Sequence, residues 1–176
     1  NDPIVHEPGT HYLYSNAGFY LMSVFLQEFL GEDLGDYASR AFFEPLGITD
    51  YTWERYGNYL AGATRLWLHP HDILKIGELL MVGGKGIVSS AWIERMKQFT
   101  EFTPDQDTPT NPYFRRWAYG SSLWLSNKNC IFFGHGTDGQ SLAIVPDRDA
   151  VVVTTAHQVD VTRLEELVDK AIALLY

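Results

Sequence analysis

The sequence predicts an α+β fold in which helices pack an antiparallel sheet. Two observations carry that reading. From residue 117 to residue 155, short runs rich in β-branched and aromatic residues alternate with turn residues, the pattern of a meander. Apolar positions at helical spacing precede this region, and one amphipathic stretch follows it. A parallel sheet would instead interleave helices with strands.

With 176 residues, 45% apolar and 20% charged, the chain can build one well-packed domain. Thirteen basic against 22 acidic residues give a net charge of −9, which argues against nucleic acid or an anionic membrane surface as partner. No apolar run approaches the roughly 20 residues of a membrane-spanning helix, since Ser23, Gln27 and Glu28 interrupt the densest one. The single Cys130 excludes an internal disulfide. No residue pattern calls for a cofactor.

Taken in order, residues 1–13 hold Pro3, Pro8 and Gly9 and read as an extended lead-in loop. His6, Glu7 and His11 are metal-ligating types, but Pro8-Gly9 breaks any helix that would align them. Tyr14-Ser15-Asn16 stands directly before a helix over residues 17–30. Leu21, Met22, Phe25, Leu26 and Phe29 share one face of it, and Gly31 is its stop. Helix capping accounts for Ser15 and Asn16 without any function. A second helix, about 34–43, ends before Pro45-Leu46-Gly47, and residues 48–68 lack periodicity and read as an ordered surface loop. Pro70 opens a helix carrying Ile73, Leu74, Ile76, Leu79 and Leu80, stopped by Gly83-Gly84. His69 and His71 beside that proline read as helix-entrance residues rather than a metal pair. Ser89 or Ser90 caps a short helix with Trp92, Ile93 and Met96, and residues 100–111 form a polar loop. About four strands follow, over 117–126, 130–133, 141–145 and 150–155. The last helix starts near Asp160 and should lay Leu164, Leu167, Val168, Ala171, Ile172 and Leu175 on the sheet. Residues 1–115 are thus mostly helical and 116–176 are sheet plus helix, within a single domain.

The connection Gly134-His135-Gly136-Thr137-Asp138-Gly139-Gln140 has three glycines in six residues, more than a turn requires. Glycine inside a strand marks a bulge or the close approach of a ligand, and both readings remain open here.

Together these pieces resemble the serine β-lactamase and penicillin-binding protein superfamily, nearest its class C and esterase-like branch. Glu7-Pro8-Gly9 followed by Tyr14-Ser15-Asn16-Ala17-Gly18 is similar to that branch's Tyr-x-Asn motif with its lead-in. Pro45-Leu46-Gly47 and the helix at Pro70 resemble its next landmarks. Phe133-Gly134-His135-Gly136 with Gly139-Gln140 and Pro146-Asp147 resembles its third motif, usually Lys-Thr-Gly or His-x-Gly, and the hairpin after it.

The resemblance implies chemistry for these residues. In the family, the serine of a Ser-x-x-Lys motif attacks a carbonyl, and a neighbouring base takes its proton. Tyr14 would be that partner, with nearby lysine charge favouring its phenolate. Asn16 would hydrogen-bond the lysine and the substrate's amide. Residues 136–138 would supply a backbone N–H to the oxyanion hole, and Gly134, Gly136, Thr137 and Asp138 would line the bound substrate. His135 joins the site either as the motif's first residue or beside it, since Gly134-His135-Gly136 and a register shifted by one both fit.

One departure matters. The residues three before the five lysines are Asp72, Val82, Glu94, Leu125 and Leu167, so there is no Ser-x-x-Lys. That motif lies upstream of Tyr-x-Asn in the family, so the chain is expected to be the downstream part of a longer serine hydrolase, an incomplete copy of the fold without its nucleophile. The expected partners are a small-molecule or peptide substrate and the missing N-terminal segment or a second copy. The competing reading is a non-catalytic sensor or binding module of the same fold. A metal-dependent hydrolase built on the scattered histidines would require bound zinc.

Overall fold

The computed structural model describes residues 5–7, 9–98, 101–102 and 112–176. Pro8 of the lead-in and most of the expected polar loop at 100–111 lie outside the described residues.

Helix α1 is Asn16–Leu30. Ser15 holds extended backbone at its N-cap but makes no capping hydrogen bond, so capping does not account for that residue. Gly31 ends the helix as expected, at φ 67°, with its N–H donating to the Gln27 carbonyl. Helix α2, Leu34–Ala38, is shorter than the sequence suggested. It widens into a π turn over Ser39–Phe43 and tightens into a 3₁₀ turn over Glu44–Leu46. Pro45 has no N–H to continue an α ladder, and the buried Phe43 fixes how the chain leaves it.

Residues 48–68 are not a loop. They fold into two small ribbons, β1 (Thr52–Trp53) with β4 (Leu66–Trp67), and β2 (Arg55–Tyr56) with β3 (Tyr59–Leu60). Each strand is two residues long, too short to show a period. Helix α3, Pro70–Met81, begins at its proline, and α4, Ser90–Met96, is capped by Ser89, whose Oγ accepts from the Trp92 N–H.

The main sheet is an antiparallel meander of six strands: β5 (Glu101–Phe102), β6 (Ala118–Tyr119), β7 (Trp124–Leu125), β8 (Phe132–His135), β9 (Ser141–Val145) and β10 (Ala150–Thr154). The expected strand at 117–126 is in fact the pair β6 and β7, joined by a turn in which the Gly120 N–H donates to the Leu123 carbonyl. Helix α5, Thr162–Ala173, closes the chain.

Both faces of the sheet are covered. On one, Phe114, Trp124, Phe133, Ala143 and Val145 pack with Val168 and Ile172 of α5. On the other, Phe132, Ile144 and Leu125 pack with Leu80 of α3 and Ile93 of α4. The alternation of Phe132 and Phe133, and of Ile144 and Val145, is the two-residue period of a strand buried on both sides. Strand β10 lies at the sheet's edge. Helix α1 sits apart, on β3, with the Ser23 hydroxyl donating to the Leu60 carbonyl at 2.8 Å. Its stripe of Leu21, Met22, Phe25 and Phe29 is 52–76% exposed.

Candidate active site

The connection between β8 and β9 is built by its own backbone. The Gly136 N–H donates to the Gln140 carbonyl at 2.8 Å, and the Gln140 amide donates to the Ala156 carbonyl just beyond β10. Gly139 sits at φ 93°, and a Cβ there would run into Leu164 of α5. Only glycine serves a position with both that conformation and that neighbour. Of the three amides at 136–138, that of Gly136 is taken by the ladder and that of Asp138 faces Gln140 Oε1 at 3.4 Å. The Thr137 N–H has no acceptor among the described residues.

His135 ends β8, with its Nε2 2.9 Å from Oε1 of Glu165 on α5 and both side chains only 10% exposed. The side chain of Asp138 turns the other way, to His157 Nδ1 at 2.9 Å, and its carbonyl accepts from the Gln158 N–H.

From the other end of the chain, Tyr14 reaches the same place across an aromatic cluster. Its ring stacks on Trp124 with centroids 5.8 Å apart and meets Tyr119 edge-on at 5.8 Å. Tyr12 lies 5.5 Å from Tyr119, and the Arg116 guanidinium is 5.7 Å from the Trp124 ring. Burial pushes the Tyr12 phenol up to about 12, helped by Tyr14 and opposed by Arg116. Burial raises Tyr119 too, with Tyr14 and Tyr12 adding to the effect. Both phenols therefore stay neutral.

A cleft of about 320 Å³ opens between these groups, lined by Tyr14, Arg116, Trp124, His135, Thr137, Val161 and Glu165. The structure thus brings Tyr14, His135 and Thr137 together. Gly134 and Gly136 line a shallower depression that also touches His135, Asn16 is exposed at the start of α1, and Asp138 points away to His157. Among the described residues, no three metal-ligating side chains gather.

The sequence reading missed Arg116, Trp124 and Glu165. Glu165 had a signal. The buried stripe of α5 runs through Leu164, Glu165, Val168 and Ile172, while Leu167, assigned to that stripe, is 57% exposed. An acid standing among buried apolar positions is the mark that could have singled it out.

A two-sided antiparallel sheet with α5 on one face, and a tyrosine loop brought against its glycine-rich connection, has the architecture of the β-lactamase and transpeptidase-like proteins. The sequence matches the Beta-lactamase family over residues 1–176, and the chain belongs to that family. No curated protein matches it. Among solved structures, a β-lactamase from Mycobacterium bovis superposes with a TM-score of 0.74 at 21% identity, covering 99% of this chain and 68% of that one. Simvastatin synthase from Aspergillus terreus gives 0.76 at 17% identity, covering 99% and 57%. An octameric penicillin-binding protein homologue from Pyrococcus abyssi gives 0.75 at 19% identity, covering 97% and 44%. At these identities the likeness is one of fold, and the chain spans between 44% and 68% of the length of these three relatives.

Proposed function

We propose that this single partial domain is the downstream part of a serine hydrolase that acts on ester, amide or β-lactam bonds through an acyl-enzyme. The observation that carries the reading is that Tyr14, from the lead-in to α1, lines one cleft with His135 and Thr137 at the far end of the sheet. In this reading Tyr14 takes the proton of a serine from a Ser-x-x-Lys segment, whose lysine favours the phenolate. Asn16, exposed beside it, hydrogen-bonds that lysine and the substrate's amide. The unclaimed Thr137 N–H supplies one oxyanion-hole donor, the serine's own N–H the other. Gly134, Gly136 and the backbone of Asp138, whose side chain is held by His157, complete the wall that a small-molecule or peptide substrate lies against. Relatives named a β-lactamase and a simvastatin synthase support a common acyl chemistry rather than one substrate. The edge of β10, unpaired among the described residues, is where a strand of the missing N-terminal segment, or of a second copy, would pair.

The test uses covalent probes. The chain by itself forms no adduct with a fluorophosphonate or a β-lactam, and the same chain joined to an upstream Ser-x-x-Lys segment forms one at that serine. In the joined protein, Tyr14→Phe lowers turnover by roughly two orders of magnitude or more, the scale of a lost general base. Intact-mass detection of a stoichiometric adduct on Ser15 of the lone chain would overturn the assignment. A joined protein that binds β-lactams without acylation would be the binding module instead.

A further inference from the structure

Helix α5 holds one charged group that the acyl-transfer reading does not use. Its buried face lays Leu164, Val168 and Ile172 on the sheet, and Glu165 stands on that same face. A carboxylate on an apolar stripe costs free energy unless a partner compensates it. Its partner is His135, at 2.9 Å from Nε2 to Oε1. Arg116 and Tyr14 line the same cleft, and no other hydrogen bond to the Glu165 carboxylate is made among the described residues.

The chemistry of the two groups fixes a proton. An ionised carboxylate only accepts, so the imidazole nitrogen facing it must carry the N–H. In a neutral imidazole the other nitrogen is then bare. Among the described residues, Nδ1 of His135 has no hydrogen-bond partner. The geometry points to Glu165 as a positioning residue: it fixes the Nε2–H tautomer of His135 and leaves Nδ1 as the proton-accepting atom of a ring that lines the cleft shared with Tyr14. The balance is that of a simple carrier. Nδ1 gains a proton as the O–H of a hydroxyl in the cleft breaks and its oxygen bonds to the acyl carbon, the carboxylate stabilises the imidazolium, and the proton passes to the departing group as that group's bond to the same carbon breaks. The use of the carrier rests on the acyl-transfer reading; the tautomer does not.

The two can therefore be tested apart. In the chain labelled with ¹⁵N in its imidazoles, two-bond ¹H–¹⁵N correlation spectra report which ring nitrogen is bare. His135→Gln identifies the His135 signals by their loss. The expected result is a single tautomer with Nδ1 bare, replaced in Glu165→Gln by a mixture of both, because an amide can donate as well as accept. The urea midpoint of that variant should barely move, since the amide keeps the volume and a hydrogen bond. A bare Nε2 in the unaltered chain, or an unchanged single tautomer in Glu165→Gln, overturns the positioning role. In the joined protein, Glu165→Gln should lower kcat about tenfold or more with KM unchanged, the pattern of a group that acts in the transition state. Unchanged kcat there, with the tautomer as expected, overturns the carrier role of His135 and leaves the acyl-transfer reading standing. Absence of any acyl adduct in that protein overturns the reading itself, and the tautomer still decides what Glu165 does.

Discussion

Helices α1 and α5 both carry an apolar stripe, yet the two stripes meet opposite surroundings. Helix α5 lays Val168 and Ile172 on the sheet at 2% and 0% exposure. Helix α1 turns Leu21, Met22, Phe25 and Phe29 to the outside and is held by its polar side instead. There Ser23 donates to the Leu60 carbonyl, Tyr20 meets Thr64 at 2.7 Å, and Tyr59 donates to Glu28 at 2.9 Å. Apolar residues recur at helical spacing in both. Helix α1, with Glu28 as its one charged residue against five in α5, is the more apolar of the two although its stripe is the exposed one. Periodicity therefore says which residues share a face, and the partner elements decide whether that face is covered. An apolar stripe of this kind on an otherwise ordinary surface marks a place of association.

The widest gap between the halves should appear on truncating one phenylalanine in each. Phe133 is fully buried in β8, packed against Phe114 at 4.4 Å between centroids, so Phe133→Ala should cost about 3–5 kcal/mol. Phe25→Ala, on the outward stripe, should stay within about 0.5 kcal/mol. Urea unfolding of the two variants measures both. A loss in Phe25→Ala close to that of Phe133→Ala would mean that α1's stripe is covered after all.

The same contrast explains what the sequence made legible. The meander, α3 starting at Pro70, Gly31 as the stop of α1 and a serine at 89 or 90 as the cap of α4 are all local signals, and the structure bears each out, with Ser89 as the cap. Local signals fail where elements are too short to show a period. That is why β1 to β4 read as a loop and why β6 and β7 read as one strand. Within the site, Tyr14, His135 and Thr137 were marked by the resemblance of their motifs to the family's, since residue types alone suggested only a helix cap and a glycine-rich connection. Arg116, Trp124 and Glu165 enter the cleft only because the sheet folds their elements together, and nothing local to Arg116 or Trp124 announces that.

A smaller effect is expected within the N-terminal half, where α2 meets the β2–β3 ribbon. Asp33 caps α2, accepting from the Gly35 and Asp36 N–H groups, and it pairs with Arg55 of β2 at 2.7 Å. Asp33→Ala should cost about 1 kcal/mol at neutral pH, the ordinary value of a lost cap. The hydrogen bond from Arg55 holds this carboxyl below its usual 3.8; burial opposes, and the Asp36 and Gly35 N–H groups lower it further. Since the folded state depresses this carboxyl, its contribution is fully present above the unfolded value and is lost as pH falls through the folded one. The stability gap between the unaltered chain and Asp33→Ala should hold steady down to about pH 4 and close below it. A gap that widens on acidification would show that the carboxylate is not stabilised by Arg55.

The smallest effect on stability, and the most telling for the comparison, is expected from charging the outward stripe. Phe25 and Phe29 stack with centroids 5.9 Å apart and are 60% and 76% exposed, so a Phe25→Lys, Phe29→Lys double variant removes little buried area. Lysine is also the better helix former, and unfolding free energy should stay within about 0.5 kcal/mol. Association should respond instead. Two features of the lone chain favour self-association, this stripe and the edge of β10, unpaired among the described residues, where Val151, Val152 and Val153 follow one another without a charge. Their mechanisms differ. Charged side chains on α1 repel a second apolar surface but leave the backbone N–H and C=O groups of β10 untouched. Sedimentation velocity of the lone chain should therefore show species heavier than 20.0 kDa that dissociate in the double variant. Heavier species that persist unchanged would assign association to the strand edge. A 20.0 kDa monomer in both forms would show that neither the stripe nor the edge associates, and would end the idea that α1's outward face is a contact surface.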